Sequence, residues 1–279
     1  MIFLLPCDPL DSKKVDYDFQ REFNAIVSLG FKVNLYDHDQ LVDHNIFISN
    51  IDNRNEKHSV ILRSWMLKEN QYDFLYKSLI SSNLYLINTL EQYLNCHYYP
   101  NIYDKIKQFS PKSTWFEDIS LESIIYHRDI MNCDIVIKDY VKSEKYSSDL
   151  FMLDRHLSNE DFREKVNEFK LSRGKLFNKG IVFKEFLDLK KFGDKTNEFR
   201  IFVYNKKIIS VSQNTELGFG DTPNLDFLNE IVESIDSNFY TIDLAELDNS
   251  SWIILETGDG SVSGLASGQD EFIFYSNFI

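Results

Sequence analysis

The chain of 279 residues is 43% hydrophobic and 15% aromatic, enough for a sizeable core in one large domain or two of ordinary size, and this composition excludes general disorder. A formal net charge of −14 disfavours general nucleic-acid binding and association with anionic membranes, so an anionic ligand must be met by a local cluster of Lys and Arg. Cys7, Cys96 and Cys133 are odd in number and lack CxxC spacing, the opening MIFLLP has no basic leader, and no run approaches the ~20 apolar residues of a membrane span; the expectation is a cytoplasmic protein without disulfides, zinc or a membrane partner.

In chain order, residues 2–5 read as a short apolar strand, 16–29 as a one-sided helix stopped by Gly30, and 31–35 and 60–62 as further strands. A helix over 72–81, a strand at 84–87 and helical turns near 90–93 and 102–109 continue the alternation. Strand and helix taking turns predicts a largely parallel sheet, so residues 1–110 form a small α/β domain. Ser110-Pro111 breaks the pattern and marks a boundary. Beyond it, strands are expected at 113–116, 134–141, 181–187, 198–204, 207–212, 239–244 and 252–256, with helices at 159–171 and 225–235. Several of these strands are joined by short turns, notably Asn205-Lys206, so residues 111–279 form an α+β domain with an antiparallel sheet.

The chemistry concentrates in the segment 239–265, which reads as a β-hairpin around Asp248-Asn249-Ser250-Ser251. A turn centred there sets Asp243 opposite Glu256, at a separation of about 4.5–5.5 Å where like charges repel. A divalent cation between them relieves the repulsion, and Asp259 in the Gly258-Asp259-Gly260 turn offers a third oxygen, a set suited to Mg²⁺. The alternative is that the acids face water and the glycines only turn the chain. Lys138 and Lys142 share one face of the strand at 134–141, which leads to the polar loop carrying Lys145. They point either to an anion site or to an edge strand guarded by lysines. Arg200, opposite Phe199, Ile201 and Val203 on its strand, suits a phosphate or carboxylate, or else a structural pair with Glu198 or Glu185. Lys190-Lys191 and Lys206-Lys207 read as solvated turn charges. The six histidines show no metal spacing, and no GxSxG, Walker-type or GxGxxG loop occurs.

The order of these pieces carries a resemblance. Val136-Ile137-Lys138-Asp139-Tyr140-Val141-Lys142-Ser143, Lys184-Glu185-Phe186-Leu187, Glu198-Phe199-Arg200, the Asp243 strand, and Glu256 followed by Gly258-Asp259-Gly260-Ser261-Val262-Ser263-Gly264-Leu265 together resemble the ATP-grasp superfamily. More closely they resemble its clade named for an arginine and two lysines, which holds bacterial and phage predicted ligases and, distantly, a eukaryotic cell-division-cycle protein that assembles a translation initiation factor. In residues 1–110, Leu62-Arg63-Ser64-Trp65-Met66-Leu67 fits the same group. The resemblance implies an ATP-grasp domain over 111–279 preceded by a small α/β domain. It implies that Lys138, with Lys142 or Lys145, holds ATP phosphates, and that Lys184, Glu185, Phe186 and Leu187 form the linker against which adenine lies. Arg200 would neutralise the transferring phosphoryl group or a substrate carboxylate, Asp243, Glu256 and Asp259 would hold Mg²⁺, and Arg63 would contact substrate. The implied activity is ATP-dependent carboxylate–amine or carboxylate–thiol ligation through an acylphosphate, on a carboxylate-bearing small molecule, peptide or protein. The alternative is an ATP-binding assembly chaperone or regulatory module. Two departures stand out: Gly258 occupies the position of a common Asn ligand, and the loop after Lys142 lacks glycines.

Overall fold

A computed structural model describes residues 1–49, 56–141, 152–214, 218 and 220–279. Its first sheet collects β1 (Ile2–Asp8), β2 (Asp11–Val15), β3 (Lys32–Tyr36), β4 (His58–Leu62) and β5 (Leu84–Leu86). β3, β1, β4 and β5 lie side by side and parallel, with β2 turned back antiparallel on the end of β1. The run Ile2-Phe3-Leu4-Leu5 is apolar throughout because both faces of β1 are covered, as a parallel sheet requires. Phe3 and Leu5 pack with Ile26, Phe274 and Tyr275, from helices Gln20–Ser28 and Glu271–Ser276. Ile2 and Leu4 pack with Tyr72, Leu75, Leu79 and Tyr93, from helices Glu69–Ile80 and Leu90–His97.

Residues 113–185 form a second, antiparallel sheet. It comprises β6 (Ser113–Phe116), β7 (Ile135–Asp139), β8 (Met152–Leu153) and β9 (Ile181–Glu185), in the order β6-β9-β7-β8. Ile135, Ile137, Ile181 and Phe183 bury one face against helices Leu121–Met131 and Asn159–Arg173. Strand alternation sends Val136, Lys138, Val182 and Lys184 to the opposite face, where cross-strand pairing sets Val136 beside Lys184 and Lys138 beside Val182.

A two-stranded ribbon of β10 (Lys191–Phe192) and β11 (Lys195–Thr196) leads into the third sheet. That sheet is antiparallel, made of β12 (Glu198–Tyr204), β13 (Lys207–Gln213), β14 (Phe239–Glu246) and β15 (Trp252–Asp259), in the order β13-β12-β14-β15. Asn205 and Lys206 both have positive φ, 47° and 64°, as a two-residue primed turn between β12 and β13 requires. Lys206 is not a solvated turn charge: its ammonium caps the Ile235 carbonyl just beyond helix Leu228–Ser234. Lys190 likewise is held, 2.6 Å from the buried Glu246.

The apolar clusters cross between the sheets. Phe202 and Phe239 of the third sheet join Phe3 and Leu5 of the first. Cys96, Ile102 and Ile106, on Leu90–His97 and the following helix Tyr99–Ile106, join Ile201, Val203, Tyr240 and Ile242. No helix among the described residues is long and apolar enough to cross a membrane.

Candidate functional site

Asp243 and Glu256 are direct cross-strand partners on β14 and β15. A bulge produces that register: Leu244 pairs with Ile254, Asp243 pairs with Glu256, and Leu255 is the extra residue between them. In an unbulged ladder running on from Leu244–Ile254, Asp243 would face Leu255, since a one-residue slip reverses every side chain. The pairing row continues through the sheet, with Arg200 of β12 beside Asp243 and Ser212 of β13 beside Arg200. Arg200 grips Asp243 bidentately, Nε to Oδ1 at 2.9 Å and Nη2 to Oδ2 at 2.6 Å, and donates Nη1 to the Gly264 carbonyl at 2.9 Å. Glu198 and Glu185 are therefore not the partners that hold the guanidinium.

The second sheet supplies the cations for Glu256. Lys138, buried in the middle of β7, donates to Glu256 Oε2 at 2.9 Å. Lys184 donates to the Leu255 carbonyl, on the residue that the bulge inserts. Burial alone would push the Glu256 carboxyl up, but Lys138, Lys184 and Arg200 outweigh it and hold it well below the usual carboxylate range. Burial first, and Lys138 second, push the Lys184 ammonium down to about 7. The repulsion expected between the two acids is thus met by Arg200 on one side and by the lysines on the other.

These groups wall a cleft of about 390 Å³. Glu185, Phe186 and Leu187 line it, and their segment is fastened where it leaves β9: Glu185 N–H donates to the Lys112 carbonyl at 2.8 Å and Phe186 N–H to the Asp134 carbonyl at 2.9 Å. Val136, Ile253 and Leu255 give it an apolar floor, while Lys138, Lys184, Asp243 and Glu256 gather at one part of its wall. Lys191, assigned by sequence to a solvated turn, also lines the cleft, as do Glu198, read from sequence only beside Arg200, and Asn214, which carried no sequence signal for a site. Their shared location follows from the fold of β10–β13 over the cleft, which spacing alone does not reveal. Asp243 and Glu256 also line a second cavity of about 60 Å³, together with Arg200, Thr241, Ser263 and Gly264. The acid pair is therefore a wall common to a large cleft and a small pocket.

Four residues proposed from sequence stand elsewhere or lie outside this description. Asp259 is fully buried and does not join the other two acids: Asn88 Nδ2 donates to its Oδ2 at 2.5 Å and Ser261 N–H to its Oδ1 at 2.8 Å, while burial pushes its carboxyl up to about 6. Arg63, expected near substrate, is only 1% exposed and is a cross-tie, with Nε donating to Glu22 at 2.7 Å and Nη1 to the Gly260 carbonyl. Lys142 and Lys145 lie outside the described residues. Among the described residues no group of three or more His, Cys, Asp or Glu side chains is placed to hold a metal. Asp243 and Glu256 nevertheless fit Mg²⁺, which takes one or two carboxylates and completes its shell with water and phosphate oxygens. Each carboxylate has about four lone-pair sites, more than the described contacts to Arg200 and Lys138 use. At Gly258 a Cβ would stand 2.8 Å from Ser263 Oγ and 3.1 Å from Thr241 Oγ1. The two hydroxyls, 2.9 Å apart, thus occupy the space a side-chain ligand at that position would need.

The sequence model for the ATP-grasp domain, family 3 of the clade named for an arginine and two lysines, matches residues 126–277. No curated protein matches the chain. Among solved structures, an ATP-grasp RimK domain protein from Sphaerobacter thermophilus aligns with a TM-score of 0.63 at 14% identity, over 99% of this chain and 98% of that one. D-cycloserine synthetase DcsG aligns with a TM-score of 0.62 at 16% identity, over 100% and 98%. The ATP-grasp ligase PsnB, complexed with a minimal precursor, Mg and ADP, aligns with a TM-score of 0.57 at 11% identity, over 97% and 91%. At these identities the similarity establishes a common fold.

Proposed function

The chain belongs to the ATP-grasp domain family, in family 3 of its arginine-and-two-lysines clade, and from that premise we propose that it is an ATP- and Mg²⁺-dependent ligase joining a carboxylate to an amine or thiol. The observation that carries this reading is the acid pair on the wall between the two cavities, with cations on both sides. ATP lies in the larger cleft, its adenine against Glu185–Leu187 and its phosphates toward Lys138 and Lys184. Asp243 and Glu256 hold Mg²⁺, which supplies charge neutralisation for the β- and γ-phosphates. PsnB, similar in fold, is complexed with Mg and ADP, which supports ATP and Mg²⁺ as ligands at the level of the family.

The carboxylate substrate enters by the small pocket beside Arg200. Its oxygen attacks the γ-phosphorus as the bond to the β-phosphate oxygen breaks, giving an acylphosphate and ADP. Arg200 and the two lysines stand where negative charge spreads over the phosphoryl oxygens, so positioning and electrostatics do most of the work. The amine or thiol then attacks the acyl carbon, phosphate leaves, and the nucleophile gives up its proton. The carboxylate-bearing substrate is a small molecule, peptide or protein, met in the cytoplasm.

The test is ADP release across carboxylate and amine pairs, read beside calorimetry with Mg²⁺ and a nucleotide. Lys138→Ala should abolish nucleotide binding, and Asp243→Asn should remove its Mg²⁺ dependence. If the parent binds no nucleotide and releases no ADP with any pair, the ligase reading is wrong; if it binds nucleotide and both variants match it, the site is misplaced.

A further inference from the structure

Lys138 and Lys184 come from neighbouring strands and point into the same corner of the cleft, where two ammonium groups repel each other. Their described carboxylate contact is Glu256 on Lys138, while Lys184 has only the dipole of the Leu255 carbonyl beside it. The other group there is the ring of Tyr99, at the start of helix Tyr99–Ile106. Lys138 Nζ lies 5.2 Å from the ring centroid and Lys184 Nζ 4.4 Å from it. An ammonium over an aromatic face is attracted by the negative face of the ring, and most strongly where water is excluded. The ring is 2% exposed, so this condition is met.

The ring is fastened on three sides. Tyr99 N–H donates to the Tyr140 carbonyl at 2.9 Å, just past the end of β7. Its hydroxyl lies 3.1 Å from Ser113 Oγ and 3.2 Å from Ser110 Oγ. Ser113 is the cross-strand partner of Lys184 on β6, and Ser110 Oγ donates to the Ile254 carbonyl at 2.7 Å, next to the bulge. The tyrosine is thus tied to β6, to the end of β7 and, through Ser110, to β15, the elements on either side of the lysines.

We propose that Tyr99 is a positioning residue of the nucleotide cleft, its ring face holding the ammonium groups of Lys138 and Lys184 together and aimed at the polyphosphate. The role deepens the ligase reading and rests on it for the nucleotide, though not for the lysines. Two charges act on Lys184, Lys138 from β7 and Glu256 from β15; Arg200 of β12 and Asp243 of β14 stand behind Glu256 in the pairing row, and Glu185 follows Lys184 in the chain. Burial and Lys138 depress it to about 7, so the free protein loses this charge as pH rises through neutrality. Nucleotide affinity accordingly falls on the alkaline side, and binding there takes up a proton.

The experiment uses the full chain with Tyr99→Phe, Tyr99→Leu and ring-fluorinated phenylalanines at position 99, which keep the shape of the ring while draining its negative face. Lys184 is titrated by side-chain NMR without nucleotide, and Mg-ADP binding is measured by calorimetry on either side of neutrality. Tyr99→Phe should leave both unchanged. Fluorination and Tyr99→Leu should lower the Lys184 titration by about one unit and weaken binding near neutral pH about tenfold, with the loss shrinking at acid pH. An unmoved Lys184 titration in the fluorinated proteins overturns the proposal, as does a Tyr99→Phe protein as impaired as Tyr99→Leu. Should the parent fail to bind Mg-ADP, the ligase reading falls while the titration still decides the role of the ring.

Discussion

At the scale of single residues, three acids that look alike in sequence separate by what donates to them. Asp243 and Glu256 are held by cations at a cleft, whereas Asp259 takes a backbone N–H and the Asn88 amide in a fully buried knot. Asn88 cannot turn its amide over, because its Oδ1 already accepts from Asn238 N–H and Phe239 N–H. Asp259→Asn therefore sets its NH₂ against either the Asn88 amide or Ser261 N–H, and unfolding measurements should show a loss of about 1–3 kcal/mol. Mg-nucleotide affinity of the protein that remains folded should match the parent; a selective loss of Mg²⁺ dependence at full stability would return Asp259 to the metal. Lys138 and Arg200 were legible in the sequence because a charged residue inside an apolar strand needs a partner. Tyr99 was not, since a ring over two lysines is a contact in space between residues 39 and 85 positions apart with no local pattern.

At the scale of elements, the hairpin of β14 and β15 was expected from two apolar runs flanking a polar loop, and the Asp243–Glu256 pairing from its centre. The bulge that reconciles that pairing with the observed loop was not, because one inserted residue leaves no mark in composition. Its effect is testable. Deleting Leu255 lets Glu256 follow Ile254 directly, so the ladder becomes regular with Asp243 and Glu256 still opposite, and Lys184 loses its carbonyl acceptor. Thermal stability should hold or rise, while nucleotide affinity drops about tenfold or more, the order expected for a lost hydrogen bond to a charged group. Equal affinity in the deleted protein would make the bulge a matter of strand geometry alone. Strands β6 and β12 were read with their observed bounds, β12 because Phe199, Ile201 and Val203 alternate along it and β6 because Ser110-Pro111 marks its approach. Helix Leu121–Met131 escaped because its buried positions are few and Tyr126 and Ile130 face outward on the same turns. Strands of two residues, such as β10 and β11, carry no period at all.

At the scale of the whole molecule, Ser110-Pro111 separates the strands of the first sheet from those of the others, but the cores ignore that line. Ile201, Val203, Tyr240 and Ile242 close against Cys96, Tyr99, Ile102 and Ile106, and Phe202 and Phe239 against Phe3 and Leu5. Polar ties cross it as well: Asn88 Nδ2 donates to the Phe239 carbonyl at 2.7 Å, and Ser64 N–H to the Ser261 carbonyl at 2.8 Å. Fully burying one such aliphatic or aromatic side chain is worth roughly 1.5–3 kcal/mol, and domains are stable by only about 5–15 kcal/mol in all. Residues 111–279 produced alone expose a row of these side chains at once and lose the Tyr99 support beneath the lysines. The fragment should bind a hydrophobic dye and melt without a cooperative transition, and adding residues 1–110 in trans should restore both cooperativity and nucleotide binding. A fragment that unfolds cooperatively and binds Mg-ADP unaided would show that the nucleotide site stands without the first sheet, and that the shared cores are a docking of two finished domains rather than one fold.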